Sequence, residues 1–175
     1  RMKNAILNIP AIFTSSECNT DWLNGMHAVF CPLEDRFQDS TKLQQLLEAA
    51  KLHANEKLWT YTCIGPVYPY STFHVDDQTL GMRVLGWMEK CYGITGHLYY
   101  SVNKYTNPEG EEVDVYRDPI RFGTCNGDGY LLYPGRPYGS EMPFGSLRLV
   151  SYREGMNDYD MLCVYENLLQ EYAKR

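Results

Sequence analysis

The stretch Leu58–Tyr70, LWTYTCIGPVYPY, decides the fold. Trp59, Tyr61 and Cys63 form an alternating aromatic and apolar run that stops at Gly65-Pro66, and a second proline, Pro69, lies between Tyr68 and Tyr70. Proline donates nothing to a sheet ladder and glycine permits a sharp turn, so the stretch reads as a strand ending in a rigid aromatic loop. The plan recurs on both sides: Ala28-Val29-Phe30-Cys31 stops at Pro32, and Gly96–Val102, GHLYYSV, stops at Asn103. With helix-like segments between them, these are expected to be parallel strands that carry polar and aromatic side chains to one edge. In α/β folds that edge is where ligands bind.

Outward from there, Ser40–Asn55 places Leu43, Leu46, Leu47, Ala50 and Ala54 on one helical face, with Asp39, Ser40 or Thr41 available as its cap. The strand His27–Cys31, this helix and the strand Leu58–Cys63 make a βαβ unit, which requires the two strands to be parallel. A second helix, Thr79–Tyr92, turns Leu80, Val84, Leu85, Met88 and Cys91 or Tyr92 toward a core, with Gly93 at its C-terminal cap. Asp76 and Asp77 precede it, where capping and the helix dipole favour an anion; one fills that role and the other is left for a ligand. Ala5–Phe13 reads as a strand, and residues 104–124 as a polar surface excursion. Cys125–Gly135, CNGDGYLLYPG, carries the Asn-Gly and Asp-Gly signals of a hairpin. The last helix spans Asn157–Ala173, with Met161, Tyr165, Leu168, Leu169 and Tyr172 as a core-packing stripe. Glu34 and Asp35, just after a strand, read as a solvated turn with Arg36 as neighbour.

The 175 residues suffice for one ordinary domain. Fifteen tyrosines and three tryptophans are the unusual feature; a phenol combines a flat apolar face with an edge hydroxyl, which suits sugars as well as half-buried packing. A net charge of −6 argues against nucleic acid as a partner, since phosphate binding needs clustered cations. No apolar run is long enough for a membrane span, so no membrane partner is expected. The first residues, RMKNAILNIP, lack the plan of a signal peptide, and the chain reads as beginning within a longer protein. The six cysteines and four histidines lack the spacing of a metal site. Neither a metal nor a cofactor is expected, and Cys31 and Cys63 read as buried thiols.

Four segments in order, LWTYTCIGPVYPY, RVLGWMEKCYGITGHLYYSVN, NGDGYLLYPG and SLRLVSYREGMNDYDML, resemble the catalytic domain of glycoside hydrolase family 123, whose known members are β-N-acetylgalactosaminidases. The resemblance runs from about Val29 to Leu162 and implies an α/β fold, a (β/α)8 barrel of the TIM type. A full barrel needs about 250 residues and eight strands. Only four barrel-like strands are found here, Ala5–Phe13, His27–Cys31, Leu58–Cys63 and Gly96–Val102, so residues 1–175 resemble a single partial catalytic domain, strands five to eight with a C-terminal hairpin and helix.

Most glycosidases use two carboxylates of their own. The family instead implies a substrate-assisted retaining mechanism: the sugar's 2-acetamido oxygen attacks the anomeric carbon, an Asp orients that group, and an adjacent Glu is the general acid/base. That pair follows strand four, and no Asp-Glu dipeptide occurs in this sequence. No catalytic residue is therefore assigned in this chain, and Glu34-Asp35, in reverse order after a later strand, is not given those roles. The resemblance implies a wall of the sugar site: Tyr61 at the end of the seventh strand, and Tyr100 and Asn103 at the end of the eighth. Asp76 is a candidate hydroxyl ligand, and Asn126 or Asp128 a turn or a rim contact. Family members commonly carry Trp where Tyr100 stands. Trp59 and Trp87 read as core. The implied substrate is a glycan with a terminal N-acetylhexosamine, and the implied partners are the upstream half of the barrel or a self-association partner; relatives that degrade glycans suggest a secreted or periplasmic location. A non-catalytic carbohydrate-binding or interaction module derived from such a barrel is the alternative.

Overall fold

The computed structural model describes residues 11–14, 28–53, 57–122 and 125–175. Residues 5–10, His27, Ala54 and Asn55, which fall within expected elements, lie outside the described residues. The chain divides into two compact units, Arg1–Thr62 with Tyr92–Leu98, and Cys63–Cys91 with Tyr99–Arg175.

The first unit is α/β. Strand β1 (Ala11–Phe13) pairs in parallel with β2 (Ala28–Phe30), matching Ala11 with Ala28 and Phe13 with Phe30. Parallel bridges Phe30–Leu58 and Leu33–Tyr61 continue the sheet toward β3 (Trp59–Thr62), which pairs with β4 (Gly96–Tyr99). Between β2 and β3 lies α1 (Ser40–His53), so the expected βαβ unit is present. Asp39 is its cap: Oδ1 accepts from the amides of Thr41 and Lys42 at 3.0 and 3.2 Å. Leu46, Ala49 and Ala50 bury their side chains against Phe30, Phe37, Leu58 and Ile94. The Cys31 thiol is buried, and desolvation pushes its pKa up to about 12. Trp59, half-buried, lies across Gly96, where a Cβ would stand 2.5 Å from the indole.

Glu34 and Asp35 are not a solvated turn. They open a 3-10 helix, Glu34–Gln38, in which Glu34 is buried and Asp35 is held 3.5 Å from Arg36. Phe37 is also buried and stacks on Tyr92, which draws the segment inward.

The second unit is built on α2 (Thr79–Cys91) and α3 (Leu147–Ala173). Helix α2 ends one residue before the expected Tyr92, and its inward face is the expected one only in part: Leu85 is buried and Met88 packs on the core. Met82, Leu85, Gly86 and Glu89 are buried, whereas Leu80 and Val84 are exposed. The reason is a glycine contact: a Cβ on Gly86 would lie 2.2 Å from the Gly155 carbonyl oxygen, and one on Gly155 would lie 2.4 Å from that of Arg83. The two backbones touch where neither has a side chain, and this rotates α2 so that Met82 and Leu85 meet Phe73 and Leu131. Gly93, with φ +69°, follows the helix as expected. Trp87 is not core; it is half exposed and donates from Nε1 to Asp158 at 2.8 Å.

Helix α3 begins ten positions earlier than its apolar stripe suggests, because Ser146 caps it by accepting from the Leu149 amide at 3.2 Å. The stripe itself is not core: Met161 is 71% and Tyr172 78% exposed.

The strand at Gly96 ends at Tyr99 and does not reach Val102, since the Val102 carbonyl leaves the ladder to accept from the amides of Leu131 and Leu132. Strands β5 (Ile120–Phe122) and β6 (Cys125–Asn126) pair antiparallel, as do β7 (Leu132–Tyr133) and β8 (Phe144–Gly145). Asn126 therefore closes the second strand of a hairpin and Gly127 opens the turn after it, so the Asn-Gly pair does not form the hairpin's own turn. Residues 104–122 are more than a surface excursion: Val115 is buried, and the Tyr116 hydroxyl donates to the Pro134 carbonyl at 2.8 Å.

Candidate functional site

The site-bearing loops of the second unit converge on one cation. Arg148, in the first turn of α3, is 6% exposed. Its Nη1 donates to the carbonyls of Phe73 and Gly127 at 2.5 and 2.8 Å, and Nη2 donates to the Tyr130 carbonyl at 2.7 Å and, at 3.5 Å, to the Tyr133 hydroxyl. The guanidinium also stands 5.3 Å from the Tyr130 ring centre. Carbonyl dipoles and a ring face thus replace water around a buried charge. The contacts tie the loop after the Pro-rich stretch to the Asn126–Gly129 turn. Gly127 has φ +81°, and a Cβ there would lie 2.5 Å from Val75 and 2.6 Å from Arg148, so only glycine fits.

On this frame two of the expected residues meet. Asn126 donates from Nδ2 to Asp76 Oδ2 at 2.6 Å, and its backbone carbonyl accepts from the Val75 amide at 2.8 Å. The carboxylate fixes which way the amide faces, since the reverse orientation would set oxygen against oxygen. That leaves Asn126 Oδ1 shielded and, among the described residues, without a hydrogen-bond partner. Asp76 is exposed, so the pair presents an anion at a loop edge while the Asn126 amide oxygen stays enclosed.

Behind it, Tyr99 donates its hydroxyl to Asp128 Oδ1 at 3.1 Å and accepts from the Gly129 amide at 2.7 Å. Burial, with Asp128 beside it, holds this phenol above its ordinary pKa and hence neutral. Tyr100 is 41% exposed and meets Tyr99 edge-on at 5.7 Å between ring centres. Asn103 is exposed and forms an antiparallel bridge with Tyr130. Tyr61 belongs to the first unit, half-buried at the end of β3, with its amide donating to the Pro32 carbonyl at 3.1 Å. His74 is buried and shares a 3.0 Å hydrogen bond with the Cys63 carbonyl, and the Thr72 hydroxyl donates to Asp77.

A cleft of about 400 Å³ is lined by Val75, Thr79, Tyr116, Tyr133, Phe144 and Ser146 among others. Among the described residues no group of three His, Cys, Asp or Glu is arranged to hold a metal ion.

Residues 15–165 match the family model described as glycoside hydrolase 123, catalytic domain. The chain belongs to that family. This glycoside hydrolase domain accordingly has a glycan as its substrate, and the match covers most of each unit. No curated protein matches the chain.

Sequence reasoning missed Arg148, Tyr99 and His74. A signal for Arg148 was present: once Ser146 is read as a cap, an arginine falls in the first helical turn, where the dipole disfavours a cation. A charge placed against the dipole points to strong compensation elsewhere, here three backbone carbonyls.

Proposed function

We propose that this glycoside hydrolase domain acts on terminal β-linked N-acetylhexosamine, N-acetylgalactosamine in particular, by the substrate-assisted retaining mechanism. The Asp76–Asn126 pair carries the reading. A pyranose offers hydroxyl donors that suit a carboxylate, and Asp76, exposed at a loop edge and held by the Asn126 amide, supplies one. Tyr100 adds an exposed phenol that can stack on a sugar face, and Asn103 an amide; Tyr61 keeps its place in the sugar wall on the family resemblance alone.

The acid/base chemistry falls to an Asp-Glu pair outside this chain, which has no such dipeptide. Residues 1–175 then form one partial catalytic domain, strands five to eight of a (β/α)8 barrel, and need the upstream half for turnover. The exposed apolar side chains of α3 support a partner that covers them.

The test is hydrolysis of a chromogenic β-N-acetylgalactosaminide by this chain alone and mixed with the upstream half. Turnover is expected in the mixture only, and Asp76→Asn and Asn126→Ala in the mixture should each lower kcat/KM by about tenfold or more, the worth of a good hydrogen bond to a charged or buried group. Turnover by the chain alone would overturn the assignment of the acid/base to a missing segment.

A further inference from the structure

The exposed half of α3 has the spacing of a helix seam. Met161, Tyr165, Leu168 and Tyr172 follow one another at intervals of four, three and four residues, the heptad step that keeps one line of side chains facing a second helix. They are 71%, 60%, 58% and 78% exposed, and Leu162, Val164 and Leu169 widen the stripe. One step earlier in the same line stands Asp158, which Arg83 and Trp87 of α2 hold. The seam therefore begins where the contact with α2 gives out. Lys90, near the end of α2, reaches Glu166, and from there α3 runs on past the end of α2 for about two turns.

Shape and charge both say what covers this stripe. An apolar groove of about 960 Å³ lies between Trp87, Lys90 and Cys91 of α2 and Met161, Leu162 and Leu169 of α3. An amphipathic helix docks in such a groove through side chains repeated along one face, and α3 itself carries that repeat. The charges are polarised along the same segment: Asp158 and Asp160 stand at its start, Lys174 and Arg175 at its end, and all but Asp158 are exposed. Two copies laid antiparallel bring the acidic start of each against the basic end of the other, whereas two laid parallel would set like charges together at both ends. In the antiparallel register that puts Tyr165 of one copy on Leu168 of the other, Met161 falls on Tyr172, and Asp160 comes within one position of Lys174. Each contact then occurs twice, as a two-fold axis requires. The area is sufficient. The two tyrosines alone offer on the order of 300 Å², and the aliphatic side chains beside them bring the stripe to the scale of the about 800 Å² that each partner gives to a standard interface.

We propose that the exposed half of α3 is a self-association surface, on which a second copy of this chain docks antiparallel about a two-fold axis. Met161, Tyr165, Leu168 and Tyr172 of both copies become buried, and Asp160 of each pairs with Lys174 of the other. The surface lies toward the other end of α2 from the Asp76–Asn126 edge, and the proposal is independent of the sugar-binding reading. Each copy brings one seam, and the net charge of −6 on each chain opposes close approach. The dimer is accordingly reversible, with a dissociation constant on the order of 10 µM.

The test is sedimentation equilibrium of this chain from about 1 to 200 µM, a range that brackets that constant. The unaltered chain is expected to pass from monomer to dimer across it. Leu168→Lys should leave a monomer throughout, with an unchanged circular dichroism spectrum; at about 1 µM, where the dimer has come apart, urea unfolding reads the single chain and the substitution is nearly neutral. Asp160→Lys and Lys174→Asp should each weaken the dimer about fivefold, and the two together should restore it, because the exchanged charges again face their opposites. A chain that stays monomeric at the highest concentration overturns the proposal. So does association that survives Leu168→Lys, or a double exchange that fails to restore the dimer. The upstream half of the barrel is the competing occupant: if adding it dissolves the dimer and Leu168→Lys blocks its binding, the stripe belongs to that half and the second copy is ruled out.

Discussion

The two halves of α3 are one continuous helix under opposite conditions. Residues 147–160 are tied down: Arg148 is buried among carbonyls, the Ser151 hydroxyl donates to the Thr79 carbonyl at 2.6 Å, Gly155 lies against the backbone of α2, and Asp158 accepts from Arg83 at 2.6 and 2.9 Å and from Trp87. Residues 161–173 carry more large apolar side chains but leave them in water, with Met161, Tyr165, Leu168 and Tyr172 all more than half exposed; Lys90 reaches Glu166 at 2.5 Å. A groove of about 960 Å³ opens between Trp87 and Lys90 of α2 and Met161, Leu162 and Leu169 of α3. Hydrophobic residues thus do not by themselves tell which part of a helix is anchored. Here the anchor is a cation, two glycines and one carboxylate, and the apolar stripe marks the unanchored half.

If that contrast is right, the largest loss of stability comes from Arg148→Ala. Three carbonyls in a buried site lose their donors at once, and urea unfolding of this chain should show a loss of about 4 kcal/mol. A loss under about 1 kcal/mol would mean that the loops hold without the cation. Gly155→Leu comes next, at about 3 kcal/mol, because the clash is with the Arg83 backbone and cannot be relieved by a rotamer change. The same substitution at an exposed position of the second half should be nearly neutral.

Asp158 gives a smaller and pH-dependent effect. The hydrogen bond from Arg83, followed by that from Trp87, holds its carboxyl below the usual carboxylate range. A depressed folded-state pKa contributes stability that is fully present above the unfolded pKa, about 4, and is lost as pH falls through the folded value. Asp158→Asn should therefore flatten the acid limb of the stability curve below about pH 4, as read by thermal melts across pH. An unchanged acid limb would show that the pair is solvated. The smallest effect is expected from Leu168→Lys, within about 0.5 kcal/mol for a surface substitution. A larger loss would mean that the second half is covered in solution, and sedimentation would show by what.

Much of the first unit was legible because its elements obey local rules. Asp39 caps α1, Leu46 and Ala50 face inward at helical spacing, and Pro32 and Gly65-Pro66 end their strands where proline must. Asp76 and Asn126 were legible as candidates, one as a carboxylate beyond what the cap of α2 needs and the other as a turn or rim contact, yet nothing in their spacing joined them across fifty positions. The face of α2 was misread in part, for a definite reason. Periodicity selected Leu85 and Met88 correctly but added Leu80 and Val84, and the decision belonged to Gly86, whose value lies in a side chain it lacks and in a partner glycine far along the chain. The tail of α3 was misread in the opposite sense, since an apolar stripe states what a helix can bury and not whether anything is there to bury it.

By itself, then, the sequence determined the α/β order of strand and helix in the first unit, the points where strands stop, the start of α2, and the family, because caps, prolines, periodicity and motif order are local properties of the chain. Only the tertiary structure decided that Arg148 would hold the site loops, that Asp76 would meet Asn126, and that one half of α3 would be anchored and the other left bare. Those outcomes depend on close approach between segments far apart in sequence, where a missing Cβ or a buried charge outweighs any local preference.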